Sequence, residues 1–391
     1  MPVRINGAKD FYYSLKREID ELYWSIAIRN FGAGLVGIFI PIYIYLYTQS
    51  VPAVFLFYLA QFAGHALLVP LAARLLPYWG VKKMMAAANP FLAAYLILIA
   101  LADTFGIAAI IWAVAAKIIY LALYLPAEDI DFARFASEGH RGRQIGNINI
   151  IASTANTIAP MVGGFTIAAF GFLPIFTASG ILMALSSVPL FFSPEVYETY
   201  TLSWKQSFTR LFARRNRRDT MVFFLKGVEE TAGIAFWPLF IFIVIGELRT
   251  IGSVTSVSLL AVLFFTYFIG RMSDHKGERK VIGLASFVHG LAWIINTFIT
   301  TPMQYLVYSS FLGLAGTANR LPFMSLIFKK ARQRGDGIDE YLSGYEIGVE
   351  LGLVTTLAVS VLLWQIGITS WLVYFGMAAV AAAGFRLIKE E

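Results

Sequence analysis

The sequence contains no cysteine among its 391 residues and only four histidines, which are scattered singly. The absence of cysteine excludes a disulfide framework and a thiolate metal site, and we expect neither a histidine-built metal site nor a cofactor. Charged residues make up 14% of the chain, against about a quarter in soluble proteins. No Ser-His-acid, HExxH or phosphate-loop pattern is present to carry hydrolytic chemistry. The chain is therefore not an ordinary soluble enzyme.

Apolar residues, by contrast, account for 58% of the sequence, and the mean hydropathy is +0.68. A helix needs about 20 apolar residues to cross a hydrocarbon layer about 30 Å thick. The apolar runs predict twelve membrane spans, numbered 1 to 12 below: residues 22–47, 52–77, 82–102, 106–127, 146–169, 172–192, 220–246, 252–272, 280–300, 303–327, 344–365 and 368–387. The first 20 residues are charged and polar, so we expect no cleavable signal peptide and an uncleaved signal anchor in span 1.

The positions of the basic residues predict the orientation of the chain. With the N-terminus inside, 26 of the 31 Lys and Arg residues fall in inside segments and only Arg249 falls in an outside loop. Because basic loops stay in the cytoplasm, both termini are predicted to be cytoplasmic, in a multi-pass protein of the cell (plasma or inner) membrane. The net charge of +7 then requires no nucleic-acid partner. The four remaining cations lie within spans: Arg29, Lys117, Lys226 and Arg320.

The longest polar break divides the spans into two sets of six. We predict an N-terminal six-helix bundle at 1–192, a cytoplasmic linker at 193–219 and a C-terminal six-helix bundle at 220–391. Within the linker, Trp204, Phe208, Leu211 and Phe212 recur at helical spacing opposite basic residues, and Ser203 begins a capping box. This pattern predicts an amphipathic helix on anionic lipid headgroups; a solvated linker is the alternative.

The two sets of six spans are similar to each other in sequence. The run RNFGAGLVGIFIP at 29–41 aligns with KGVEETAGIAFWP at 226–238, matching a cation, a phenylalanine and a proline at an offset of 197. The loops that end at Lys83 and Lys280 align at the same offset. The bundles are therefore interpreted as parallel repeats, related by an axis along the membrane normal.

The segment GRMSDHKGERK at 270–280 places glycines, an acid and bases at the spacing G-x-x-x-D-x-x-G-R-K between spans 8 and 9. With this loop, twelve spans and a six-plus-six repeat, the chain resembles the major facilitator superfamily of secondary transporters, and in particular its drug/proton antiporters. The resemblance implies an all-α membrane protein with twelve transmembrane helices in two pseudo-symmetric six-helix bundles. It also implies a cytoplasmic conformational latch formed by Gly270, Asp274, Gly277, Arg279 and Lys280.

The first copy of this loop carries Pro77 where the acid should stand, so the latch depends on the second copy. Its expected contact is the end of spans 4 and 5, which carries Glu128, Asp129 and Asp131.

Span 5 contains Pro160, Gly163 and Gly164 in a run that resembles the superfamily's antiporter motif G-x-x-x-G-P-x-x-G-G, with alanine in place of the first two glycines. In the family this motif accompanies proton-driven export. Proline bends a helix and small residues let helices approach closely, so a purely structural packing role is the alternative.

Charged and polar residues within spans are candidates for a central cavity, because charge in lipid is costly. The predicted substrate-cavity residues are Arg29, Asn30, Lys117, Tyr120, Tyr124, Asn149, Asn156, Lys226 and Arg320. The predicted proton-coupling residues are Glu229, Glu230, Glu346 and Glu350. An alternative is equally open for each: the buried cations simply neutralise these acids as structural ion pairs. The single histidines His65 and His289 are interpreted as hydrogen-bonded structural residues.

These observations favour a proton-coupled exporter of a small organic molecule, working by alternating access and predicted to be monomeric. Its expected partners are the substrate, protons and membrane lipids. A symporter or uniporter that imports a sugar, a peptide or an organic anion is the alternative, and the embedded cations would suit an anion. A non-transporting receptor or a membrane enzyme is less expected.

Overall fold

The computed structural model describes residues 24–135, 142–191, 195, 197, 200–276, 278–333 and 338–387, without the side chains of 132–153, 266–281 and 332. Each of the twelve predicted spans is helical: Trp24–Thr48, Val51–Ala73, Val81–Ala100, Ile107–Phe135, Gly142–Phe170, Phe172–Leu190, Arg217–Ile245, Leu248–Lys276, Glu278–Asn296, Pro302–Gln333, Ile338–Gln365 and Trp371–Gly384. Over the described residues, nine helices are long and apolar enough to cross a membrane. The protein is therefore an all-α membrane protein, as predicted.

Several helices are longer than the apolar runs that predicted them. Span 4 continues to Phe135 and span 10 to Gln333, while span 11 begins at Ile338. These extensions lie at the end of the molecule that carries the segment between spans 6 and 7. We call this end the linker end. Hydropathy detects only the lipid-embedded part of a helix, so polar turns beyond it escape the prediction.

The first helix of each set of six is irregular at matching positions. Span 1 has a turn at Gly37 and Ile38, and span 7 has a π-helical stretch at Ala232–Phe236. At the offset of 197, the turn in span 1 falls within the π-helical stretch of span 7. This shared irregularity agrees with the sequence repeat, and π-helical turns often occur near functional sites.

The first six and the last six spans pack most extensively against each other through spans 2 and 11 and through spans 5 and 8. Spans 5 and 8 cross at Gly164 and Gly252, and Gly163 on span 5 faces the backbone of span 1 at Leu35. The glycines of the predicted antiporter motif therefore lie at helix crossings, where the packing alternative places them. Large apolar side chains remain exposed on the outer surface, among them Trp112, Phe170, Phe264 and Val380.

The linker helix, Trp204–Leu211, begins at the predicted capping box, in which Ser203 and Gln206 exchange hydrogen bonds. Its apolar face is oriented differently from the prediction of a helix lying on headgroups. Leu211 packs between Val69 of span 2 and Ile347 of span 11. Only the ends of that face stay open, with Trp204 40% and Phe212 64% exposed. The apolar face of the linker helix therefore packs mostly against spans of the protein itself.

The linker end is further secured by buried ion pairs. Lys82 Nζ lies 2.5 Å from Asp131 Oδ2, and Lys330 Nζ lies 2.8 Å from Asp219 Oδ1. The backbone nitrogens of Lys82 and Lys83 donate to the Glu195 carboxylate, which caps span 3 beside Gly80. Gly80 has a φ of 79°, and a Cβ there would overlap the Glu195 side chain, so only glycine fits this turn.

Candidate functional site

Spans 1 and 4 present a cationic group made of Arg29, Lys117, Tyr120, Tyr124 and Glu128. As the helical spacing predicts, the four residues of span 4 line one face, which is turned towards Arg29 of span 1. Arg29 Nη2 lies 2.6 Å from Glu128 Oε1, and the Arg29 guanidinium lies 4.5 Å from the centre of the Tyr124 ring. The rings of Tyr120 and Tyr124 stack with their centres 5.2 Å apart. Glu128 thus neutralises Arg29, whose guanidinium covers one face of the buried Tyr124 ring.

Lys117 occupies a different environment from Arg29. Its Nζ lies 4.7 Å from the centre of the Tyr120 ring and 5.2 Å from that of the Tyr95 ring. Among the described side chains, no carboxylate lies within 4.0 Å of this amine. Aromatic faces are therefore its only charge-stabilising neighbours in the described part of the chain.

Spans 7 and 9 hold a second group around Glu229. Lys226 Nζ lies 2.7 Å from Glu229 Oε2 and 3.2 Å from Glu230 Oε1. Glu229 Oε1 also accepts from Trp293 Nε1 at 3.3 Å and lies 2.8 Å from His289 Nε2. Both oxygens of Glu229 are thus hydrogen-bonded. For this residue, the arrangement favours a structural ion pair over a proton-coupling role. Glu230 differs, because its side chain is 34% exposed.

Spans 2, 4 and 11 form an acidic group that contains His65, Asp129, Glu346 and Glu350. His65 Nδ1 lies 2.7 Å from Glu350 Oε1, and both side chains are buried. The carboxyl group of Glu346 on span 11 lies within hydrogen-bonding reach of that of Asp129 on span 4. Within the described residues, Asp129 Oδ2, His65 Nε2 and Glu350 Oε2 are buried without a hydrogen-bond partner. Buried polar atoms usually have a hydrogen-bond partner, so these three atoms can each form a further hydrogen bond.

The second group and the acidic group converge at Tyr345 of span 11. This tyrosine interacts electrostatically with Glu230, Glu346, Asp129 and Arg320, which come from spans 7, 11, 4 and 10. Side chains from the first six and the last six spans thus meet at one polar centre. Such a centre is typical of a binding cavity between two bundles.

The acidic group has the ligand types of a metal site, but the atoms of its residues that face one another already interact with each other. Ligating atoms of His65, Glu346 and Glu350 lie within 4.8 Å of one another. The facing atoms of His65 and Glu350 hydrogen-bond each other, however, and Glu346 contacts Asp129. We therefore interpret the group as a hydrogen-bonded network that crosses between helices.

The other predicted site residues fall into three sets. Asn30 is half-buried, Asn156 packs against Gly34 of span 1, and Arg320 is exposed without an ion pair among the described residues. The predicted contacts of the latch are occupied in part, because Glu128 pairs with Arg29 and Asp131 with Lys82. The following predicted residues lie outside the described side chains: Asn149, Gly270, Asp274, Gly277, Arg279 and Lys280.

Two residues of the acidic group, Asp129 and His65, are not among the predicted proton-coupling residues. Asp129 lies just beyond the apolar run of span 4, and the sequence predicts it only as a contact of the latch. Its place in the centre follows from the continuation of the helix to Phe135. His65 shares a helical face with Gln61, but its pairing with a residue 285 positions away leaves no local signal in the sequence.

Comparison with known proteins gives one family and two distant curated relatives. The family model described as Major Facilitator Superfamily matches residues 22–246. An uncharacterized protein of Bacillus subtilis, YqgE, is 25% identical over 220 residues, which cover 54% of this chain and 51% of that protein. A protein of Lactococcus lactis named as a multi-drug resistance efflux pump PmrA homolog is 22% identical over 242 residues, or 59% of each chain. The chain thus aligns with about half the length of the curated relatives it matches.

Among solved structures, a crystal structure of a mutant of the nucleoside transporter NupG is similar in fold. The TM-score is 0.70, and the match covers 95% of this chain and 100% of that one. The sequences are only 15% identical. The similarity therefore supports the twelve-helix architecture and carries no information about the substrate.

Proposed function

The chain belongs to the Major Facilitator Superfamily, and from that premise we propose that it exports a small organic molecule in exchange for protons. The protein is a membrane transporter; the direction of transport, the coupling ion and the mechanism are the proposal. We assign the coupling to the acidic group, and alternating access to movement of residues 1–192 against residues 220–391.

The contact between Asp129 and Glu346 is the observation that carries this proposal. Two carboxyl groups can hydrogen-bond to each other only when one of them holds a proton. We infer that in this conformation the pair shares one proton between span 4 and span 11. When the two sets of spans move apart, each carboxyl group is exposed to water and the shared proton is released. Proton release is thereby linked to the conformational change.

The charged groups around Asp129 and Glu346 favour reversible binding of a proton over permanent neutralisation of these two acids by a cation. Glu230 and Glu350 add negative charge, His65 is committed to Glu350, and Lys226 is shared between Glu229 and Glu230. Among the described cations, none forms an ion pair with Asp129 or Glu346. A proton is then the simplest charge that the pair can take up and give back.

Export is supported by two sequence features. One relative is named as a homolog of a multidrug efflux pump, and span 5 carries the antiporter-like run with Pro160, Gly163 and Gly164. The alternative is import by symport or uniport, and the direction of movement in intact cells distinguishes the two. A receptor that moves no ligand would show neither export nor import.

The test uses purified protein in liposomes that contain a pH-sensitive dye. A pH gradient is imposed, and a fixed panel is added: benzoate, 1-naphthoate, their amides, the corresponding amines, ethidium and uridine. We expect at least one compound to evoke proton movement in the wild type and none to do so in Glu346→Gln or Asp129→Asn. Glu247→Gln, at an exposed glutamate between spans 7 and 8, is the matched control and should retain the movement.

Two results contradict the proposal. One is substrate movement that ignores the pH gradient in the wild type. The other is full proton movement in the variant Glu346→Gln, which would assign the coupling elsewhere. Dependence on a sodium or divalent-cation gradient instead would contradict the choice of ion.

A further inference from the structure

Lys117 is an exception among the cations packed inside this protein. Four other buried or half-buried cations each lie 2.5 to 2.8 Å from a carboxylate oxygen: Arg29, Lys82, Lys226 and Lys330. Lys117 has two tyrosine rings instead and, among the described side chains, no carboxylate partner. Within the described residues, each of these four cations thus has a carboxylate partner and Lys117 has none.

The depth of Lys117 makes the missing counter-charge significant. The residue lies ten positions from the start of span 4 at Ile107, which is about 15 Å along the helix axis at 1.5 Å per residue. That distance is about half of the hydrocarbon thickness. A cation at the middle of a membrane is costly unless an anion or water compensates it. A ligand that brings the anion would remove that cost.

The neighbours of Lys117 are suited to a negatively charged group on a flat apolar body. Arg29 is close enough to interact electrostatically with Lys117, and its Nε has no partner among the described residues. Two cations therefore face one acid, Glu128, which leaves an excess positive charge. Tyr95 and Tyr120 flank the amine, and Tyr124 continues the aromatic surface by stacking on Tyr120. Offset stacking on such faces is favourable for a planar ring.

We propose that the transported molecule is an aromatic organic anion whose carboxylate binds to Lys117 and whose ring lies beside the tyrosine rings that flank this amine. This inference rests on the proposed transport function and adds the class of substrate. Lys117 is then the residue that determines charge specificity. The acidic group on spans 2, 4 and 11 binds the proton, so the substrate anion and the proton are bound at separate places.

The charge balance of such an exchange can be measured. When one monovalent anion leaves and one proton enters, two positive charges move inwards per cycle. Exchange of a neutral molecule for a proton moves one charge, and exchange of a monovalent cation for a proton moves none. A membrane potential, negative inside, should therefore accelerate export of the anion most strongly. The dependence on potential reports the charge of the substrate independently of its affinity.

Binding is tested on the purified protein by thermal unfolding, because a ligand that binds the native state raises its stability. The probes are benzoate and 1-naphthoate, the corresponding amides and the corresponding amines, which differ in charge but keep the ring. We expect the acids alone to raise the melting temperature, and 1-naphthoate to do so more than benzoate. In Lys117→Met the effect of the acids should be lost, and in Lys117→Arg part of it should remain.

Lys205→Met, on the exposed face of the linker helix, removes the same charge elsewhere and should leave the response to the acids unchanged. Equal stabilisation by acids and amides, an undiminished response in Lys117→Met, or no response to any acid would overturn the inference. If Lys117→Met does not fold, Lys117→Gln and the comparison of acid with amide in the wild type decide the question.

The two proposals fail in different ways. Acids that bind through Lys117 but evoke no proton movement would leave the substrate class standing and contradict the coupling. Proton-driven transport of an amide or amine that is unaffected in Lys117→Met would leave the coupling standing and contradict the substrate class.

Discussion

Gly164 and Gly252 lie against each other where spans 5 and 8 cross. A Cβ on Gly164 would lie 2.5 Å from the carbonyl oxygen of Leu248, and a Cβ on Gly252 would overlap the carbonyl oxygen of Pro160. The crossing is reinforced by Met161, whose backbone nitrogen donates to Ser256 Oγ at 2.9 Å. The antiporter-like run on span 5 thus forms a close helix–helix contact between the first six and the last six spans.

We expect Gly164→Ala to destabilise the protein. The added methyl group must push two helix backbones apart, and overpacking of this kind costs about 1–3 kcal/mol. Thermal unfolding in detergent should show a lower melting temperature for Gly164→Ala and for Gly252→Ala. Gly376→Ala in span 12 is the matched control, because a Cβ there meets nothing within 4 Å. A melting temperature for Gly164→Ala at or above that of Gly376→Ala would show that the crossing is looser than described.

His65 and Glu350 are expected to depend on each other for stability. They join span 2 to span 11 through a buried contact of 2.7 Å. Removing one partner of such a pair costs about 3–5 kcal/mol, because the other is left unpaired. Glu350→Ala should therefore be strongly destabilised, and Glu350→Gln, which keeps a hydrogen-bonding amide, should lose less.

A double-mutant cycle measures the coupling between them. The combination of His65→Leu with Glu350→Leu should be more stable than the sum of the two single changes predicts. Additive losses would mean that the two side chains act independently.

The two neighbouring glutamates of span 7 should respond differently to neutralisation. Glu229 is surrounded by Lys226, His289 and Trp293, so Glu229→Gln removes the charge that holds three partners. Glu230 is partly exposed and contacts Lys226 alone among these. We expect Glu229→Gln to lower the melting temperature and the yield, and Glu230→Gln to leave both near the wild type. The reverse order would identify Glu230 as the structural partner of Lys226.

The sequence predicted the fold largely because membrane spans are encoded locally. Apolar runs located all twelve helices, and Ser203 with Gln206 marked the start of the linker helix. The equivalence of Arg29 and Lys226 also appeared in the aligned repeats. Pairings between distant helices cannot be predicted from local sequence, because they depend on how each helix is rotated about its axis.

Two contacts illustrate that limit. Arg29 meets Glu128, 99 residues away, and His65 meets Glu350, 285 residues away. The helical spacing in span 4 correctly placed Tyr120, Tyr124 and Glu128 on one face, but nothing local indicated which helix that face meets. For the same reason the sequence predicts Asp129 only as a latch contact, since its neighbour Glu346 belongs to span 11.

The linker helix is expected to stay with span 11 when the linker end opens. It is tied to that side by Arg210, which forms an ion pair with Glu340 at the start of span 11. Its link to span 2 is weaker, since Trp204 Nε1 donates to the carbonyl oxygen of Leu67 at 2.9 Å. A charge-assisted bond is stronger than a neutral one. Span 2 should therefore slide past Leu211 in each cycle.

The absence of cysteine allows a direct test, because the thiols introduced are the only ones in the protein. Leu211 packs on both Val69 and Ile347, so two double-cysteine variants can be compared: Val69→Cys with Leu211→Cys, and Leu211→Cys with Ile347→Cys. Crosslinking the first pair should block substrate-evoked proton movement in liposomes, and a reducing agent should restore it. Crosslinking the second pair should leave the movement intact. Single-cysteine variants under the same oxidation are the control. Loss of movement only in the second pair would mean that the linker helix travels with span 2 instead.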